Sequence, residues 1–163
     1  MTIKDGLLAE YDHEIATTRK LLARISDDRL AWRPHAKSMA LGELATHLSN
    51  LPHWAAAILN DTSFDLASGP PNLAAFGSRA AVLDHFDRTA ASARAALDKT
   101  DAEFMAPWTL KRGGHELFTM PRVATFRSFV LSHLIHHRGQ LSVYLRLLDV
   151  PVPAIYGPSA DEG

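Results

Sequence analysis

Between Phe129 and Leu148 the chain spaces its apolar residues as a buried helix does, yet three of its nine histidines, His133, His136 and His137, fall within five residues there. A helix this apolar must bury a face, and an imidazole on that face needs partners for its ring nitrogens. At about 100° per residue, with His133 set to zero, Phe126, Val130, Leu141, Tyr144 and Leu148 all project between roughly 20° and 80°. His137 falls at about 40°, in the middle of that face, and His133 on its edge one turn earlier. His136 points about 100° away from His137. The helical period therefore selects His133 and His137 as a core-facing pair, four residues apart and able to share one ligand. It leaves His136 on a flank, as the rival for a three-apart pairing with His133.

The rest of the chain reads as partners for that helix. From Thr2 to Ile25, apolar positions at Ile3, Leu7, Tyr11, Ile15, Leu22 and Ile25 alternate spacings of three and four around Thr18, an amphipathic helix. Arg33 precedes Pro34 and is biased away from helix, so a connection follows. A second helix is expected from about Ala40 to Asn60, with Ser38 as its N-cap and a kink at Pro52, which lacks a backbone donor. Its core face carries Leu44, Leu51, Ala55 and Ile58, and His47 projects onto the same face with Trp54 beside it. Glu43, one turn before His47, is a candidate orienting group or second carboxylate.

Between Asp61 and Gly77, Thr, Ser, Gly, Pro and Asn predominate, including Gly69, Pro70 and Pro71, a long connection that can carry the chain from one end of a bundle to the other. A third helix is expected over Ser78–Lys99. A short β-hairpin follows from Trp108 to Phe118, turning at Gly113 and Gly114. Pro121 fits the first position of the fourth helix. The proline-containing tail, Val150 to Gly163, carries Val152, Ile155 and Tyr156 and is expected to pack on the body. The fold class read from these elements is all-α: one domain over residues 1–163, a four-helix bundle with a short β-hairpin between the third and fourth helices.

Composition narrows the function. Lys plus Arg number 17 against 18 Asp plus Glu, so net charge gives no argument for nucleic acid or for an anionic membrane surface. No run approaches the roughly 18 apolar residues of a spanning helix, and no signal-peptide core stands at the start, so the expectation is a cytoplasmic protein. With no cysteine, disulfides and thiolate ligands are excluded, and metal chemistry must use His, Asp or Glu. If the second and fourth helices are neighbours, His47, His133 and His137 come together. Three neutral imidazoles suit Zn, Ni, Fe or Cu and leave a position for water or substrate, the pattern of a catalytic site. The competing use is hydrogen bonding, His47 to a buried carbonyl and the fourth-helix pair in a polar cluster with Gln140. Arg138 and Tyr144 fit an ion pair and a core tyrosine, and Arg146 a solvated charge.

The segments Leu41-Gly-Glu-Leu-Ala-Thr-His47-Leu with Trp54, Ser132-His133-Leu-Ile-His-His137-Arg-Gly-Gln-Leu-Ser-Val-Tyr-Leu-Arg146, and the tail from Val150 to Glu162 resemble the DinB family of damage-inducible bacterial proteins. The resemblance spans nearly the whole chain. It implies a DinB/YfiT-like four-helix bundle, commonly a homodimer, with a divalent transition metal on three histidines. By motif these fall on His47, His133 and His137. Zn or Ni comes first, with Fe or Mn as alternatives, and Glu43, Trp54, Gln140 and Tyr144 are candidates for the surrounding shell. Related branches include thiol transferases and isomerases, which implies a metal-dependent transferase or hydrolase acting on a small molecule such as a thiol; the alternative is a non-catalytic metal-binding stress-response dimer or sensor. Ala40 stands where the family pattern offers Thr or Ser as a cap. Neither nucleic acid nor membrane is an expected partner.

Overall fold

In the computed structural model the described residues are 1–69 and 75–162; Pro70 and Pro71 of the long connection and Gly163 of the tail lie outside them. The first helix, α1 (Ile3–Leu22), is started by a reciprocal cap: Thr2 Oγ1 accepts from the Asp5 amide at 3.2 Å, and Asp5 Oδ2 accepts from the Thr2 amide at 2.9 Å. Its apolar stripe buries Leu7, Tyr11, Leu21 and Leu22. Ile25 enters the core from the turn beyond the helix end.

The expected second helix is divided. Helix α2 (Leu41–Asn50) passes through a 3₁₀ turn at Leu51–His53 into α3 (Trp54–Asn60), because Pro52 offers no amide to continue the α-helical ladder. Ser38 is not its cap. The N-cap is Ala40, whose amide donates to Glu43 Oε2 at 2.6 Å; an alanine side chain cannot return the bond, so only half of the capping box forms.

Inside the long connection lies a strand that periodicity did not reveal, β1 (Ser63–Asp65). Helix α4 (Arg79–Ala96) follows, its first turn capped by Ser78 Oγ on the Ala81 amide. It ends short of Lys99, and a separate helix, α5 (Asp101–Met105), is capped by Thr100. The expected hairpin is present as β2 (Pro107–Arg112) and β3 (His115–Pro121). Gly113 and Gly114 turn it with φ of +58° and +82°, left-handed values that glycine adopts without strain. Strand β1 pairs in parallel with β2, Ser63 opposite Thr109 and Asp65 opposite Lys111, making a three-stranded sheet. The Asp65 carboxylate then accepts from the amides of Gly113 and Gly114 at 2.9 and 2.7 Å, tying the long connection to the hairpin turn.

Pro121 ends β3 rather than occupying a first helical position. The last helical stretch runs from α6 (Arg122–Phe126) through a π-helical segment at Arg127–Ser132 into α7 (His133–Leu147). Helices α1 and α2 each pack against both α4 and α7, which makes the second helix a neighbour of the last one. One apolar cluster joins Leu21, Leu41, Leu44, Phe86, Leu141 and Leu145; another, toward the sheet, joins Tyr11, Ile58, Phe104, Trp108, Phe126 and Val130. The tail packs as expected. Val152 is buried, and its amide donates to Asp161, which also pairs with Arg146 at 2.5 Å. Among the described residues, no helix is long and apolar enough to cross a membrane.

Candidate metal centre

His47 comes from α2, and His133 and His137 from one face of α7. Because α2 packs on α7, the three half-buried imidazoles meet. Each offers one ring nitrogen such that all three donor atoms lie within 4.8 Å of one another. The Nε2 atoms of His47 and His133 are 3.3 Å apart. Ring centroids are separated by 4.5 Å for His47 and His137 and by 4.7 Å for His133 and His137.

The protonation pattern suits a cation. Partial burial lowers the His47 pKa to about 4, and the neighbouring His137 and His133 push it further in the same direction. Burial also depresses His133 and His137, so all three rings are neutral at pH 7, as ligation requires. One outer nitrogen is committed. His137 Nδ1–H donates to Gln140 Oε1 at 2.7 Å, which leaves Nε2 as its lone-pair nitrogen. The Nε2 of His133 is faced by His47 Nε2. The His137–Gln140 bond is the kind of orienting contact that metal-binding histidines use. A tetrahedral ion with metal–nitrogen bonds of about 2.0–2.1 Å separates its ligand nitrogens by roughly 3.3–3.4 Å, so the His47–His133 spacing fits a metal.

The other residues singled out by sequence have separate placements. Gln140 touches the group through His137, and its amide nitrogen also reaches His136 Nε2 at 3.3 Å. His136 itself is exposed on the flank. The hydrogen bond of the Glu43 carboxylate goes to Ala40, and Arg33 lies 3.8 Å away, so it serves the helix start. Trp54 packs edge-on against Phe64 and Phe129, at 5.0 and 5.9 Å between centroids and interplanar angles of 69° and 62°. Tyr144 is a core residue, its hydroxyl donating to the Met39 carbonyl at 3.1 Å. Arg138, beside His137, is buried in an ion pair with Glu14. Arg146 is paired with Asp161 and so is not simply a solvated charge. His13, His35, His53 and His115 are exposed, and His85 is half-buried against Asn50.

A mostly helical chain that carries a small sheet and draws three histidines from two helices into one group defines a class of helical proteins with a three-histidine site. The chain belongs to the DinB family, whose model matches residues 1–163. It is 24% identical to YrdA of Bacillus subtilis (strain 168) over 158 residues, 97% of this chain and 90% of that one. Among solved structures, a DinB-like protein from Bacillus cereus ATCC 10987 superposes with a TM-score of 0.72 at 22% identity, covering 95% of this chain and 98% of that one. The DinB-like YjoA of Bacillus subtilis gives 0.68 at 17% identity, covering 96% and 98%. At these identities the structural likeness establishes the fold.

Proposed function

We propose that this protein is a metal-dependent enzyme of thiol-transferase or hydrolase type, in which His47, His133 and His137 hold a divalent transition metal, Zn or Ni before Fe or Mn. The observation that carries this reading is the convergence of three neutral imidazoles from α2 and α7, with donor atoms within 4.8 Å and no cysteine in the chain to compete. A metal so held supplies Lewis acidity, lowering the pKa of a bound water or thiol. The chain's own part is to keep the three rings unprotonated by burial and to fix the His137 tautomer through Gln140. The long helical stretches α1, α2–α3, α4 and α6–α7 are read as the four arms of a DinB-type bundle, and the working state as a homodimer in the cytoplasm.

Metal analysis of the untagged wild type beside His133→Ala tests the reading. About one transition-metal equivalent in the wild type and none in the variant supports it; equal metal in both, or none in the wild type, refutes it. A second reading, a non-catalytic metal-binding dimer or sensor, is favoured by one observation: Glu43, the carboxylate nearest in sequence to His47, is tied to the Ala40 amide and so is not a free general base. Wild-type metalloprotein that fails to accelerate turnover of activated thiols and esters, with metal bound, decides for that reading.

A further inference from the structure

Asn50, one helical turn beyond His47, opens a second concave feature that includes none of the three histidines. It is a cavity of about 330 Å³ lined by Asn50, His53, Trp54, Asn60, Asp61 and Phe64, with Ala56 and Ala57 adding apolar lining. Two of its walls are aromatic. The Trp54 and Phe64 rings meet at 69° with centroids 5.0 Å apart, forming a corner, and both residues are half-buried. At the rim stands Asp61. Its carboxylate takes part in none of the ion pairs formed among the described residues. The nearby Arg122 guanidinium donates instead to the Asp61 backbone carbonyl, at 2.9 Å. The remaining polar groups on the wall are the amides of Asn50 and Asn60 and the imidazole of His53. Asn50 Oδ1 is partnered by His85 Nε2 at 3.3 Å.

An aromatic corner with a carboxylate at its edge attracts one chemical class above others. The negative faces of indole and benzene rings stabilise a cation whose charge is spread over alkyl groups, the carboxylate adds Coulomb attraction, and the apolar lining accepts the alkyl surface. An inorganic cation would lose more hydration than this site returns, since Asp61 is the only carboxylate lining it among the described residues. We infer that the cavity between α3 and β1 is a binding site for a small organic ammonium ion, recognised by Trp54, Phe64 and Asp61. It goes beyond the proposed metal chemistry and does not depend on it.

The test uses the full-length protein as purified, with choline chloride as the probe and 3,3-dimethylbutan-1-ol as its uncharged isostere. Binding is followed by calorimetry and by tryptophan fluorescence. Choline is expected to bind at least about tenfold more tightly than the alcohol, because the cation–aromatic attraction of a partly desolvated site is lost with the charge. Trp54→Leu and Asp61→Asn should each weaken choline binding by about tenfold while circular dichroism stays unchanged. Asp61, being exposed, can be replaced without a folding penalty, so Asp61→Asn remains informative if Trp54→Leu fails to fold. Equal affinity for the alcohol and choline, no detectable choline binding up to about 10 mM, above the roughly millimolar range set by a few kcal/mol, or unchanged binding in Asp61→Asn overturns the inference.

Discussion

The Nε2 atoms of His47 and His133 face each other across 3.3 Å, although 86 residues of chain separate them. Two ring nitrogens this close can share one proton or one cation, and cannot both carry protons toward each other. Any ion seated there bridges α2 and α7 directly. Metal should therefore act as a cross-link between helices that are otherwise joined through side-chain packing. Adding Zn or Ni at about 100 times its dissociation constant should stabilise the fold by about 2.7 kcal/mol, and at about 2–4 °C per kcal/mol for a chain of this size the melting temperature should rise by roughly 5–10 °C. Differential scanning calorimetry reads the shift. His47→Ala and His137→Ala should each abolish it, and a full shift in either variant would remove that residue from the ligand set.

Acid should weaken the metal-free protein before its carboxylates titrate. With the His47 pKa depressed to about 4, the unfolded chain takes up a proton near pH 6.5 while the folded chain resists until about pH 4. The unfolded state then binds more protons across that window, so stability is full above about pH 6.5 and declines as the pH falls toward 4. His133 and His137, also depressed, act in the same direction. Urea midpoints measured between pH 7 and pH 4 on chelator-treated protein should fall, and His47→Gln should flatten the decline. A midpoint that is level or rises on acidification contradicts the assignment of three neutral rings.

Gln140 should matter to metal affinity more than to folding. Its side chain is exposed, and its Oε1 fixes the His137 tautomer by accepting from Nδ1–H at 2.7 Å. Gln140→Leu frees the ring to rotate and to protonate Nε2, so metal affinity should drop by about 10–100-fold, the usual cost of losing an orienting partner. Competition against a chromogenic chelator measures this. The metal-free melting temperature should stay within about 2 °C, a change at an exposed side chain being worth less than about 0.5 kcal/mol. Unchanged affinity would make Gln140 a bystander.

What periodicity made legible was whatever rested on one helix face at a time. His133, His137 and His47 could be assigned to core faces because their helices are regular from ligand to ligand, and packing of α2 on α7 then brings the faces together. The π-helical widening at Arg127–Ser132 leaves no compositional trace, and it lies just before the ligands, so the azimuths of His133 and His137 were unaffected. Strand β1 is three residues long, inside a stretch rich in turn formers, and exists because β2 offers it an edge, a tertiary cause that no local pattern carries. Glu43 shows the opposite difficulty. Its spacing from His47 suited an orienting carboxylate, but at the third position of α2 it meets the bare Ala40 amide first.

The last expectation concerns the pair that sits behind the ligand helix. Arg138, 1% exposed, follows His137 directly and meets Glu14 of α1, 5% exposed, at 2.5 Å between Nη1 and Oε2. Arg138 also donates to the Glu14 carbonyl at 3.2 Å and to the Tyr156 hydroxyl at 2.8 Å; that hydroxyl donates to Glu14 Oε1 at 2.8 Å, so the tail is fastened to both helices. Glu14 Oε2 lies beside the guanidinium without an aligned hydrogen bond, which makes charge the main attraction there. Removing one partner strands a buried charge, so Arg138→Met should cost about 3–5 kcal/mol. Removing both should cost far less, because a Leu at 14 and a Met at 138 fill the space without any charge to desolvate. Urea denaturation of Arg138→Met, Glu14→Leu and the double variant separates these outcomes. If the double variant is as unstable as the sum of the singles, Arg138 and Glu14 do not interact and each acts through its other contacts; recovery of about 2 kcal/mol or more in the double variant shows that the isolated charge was the cost.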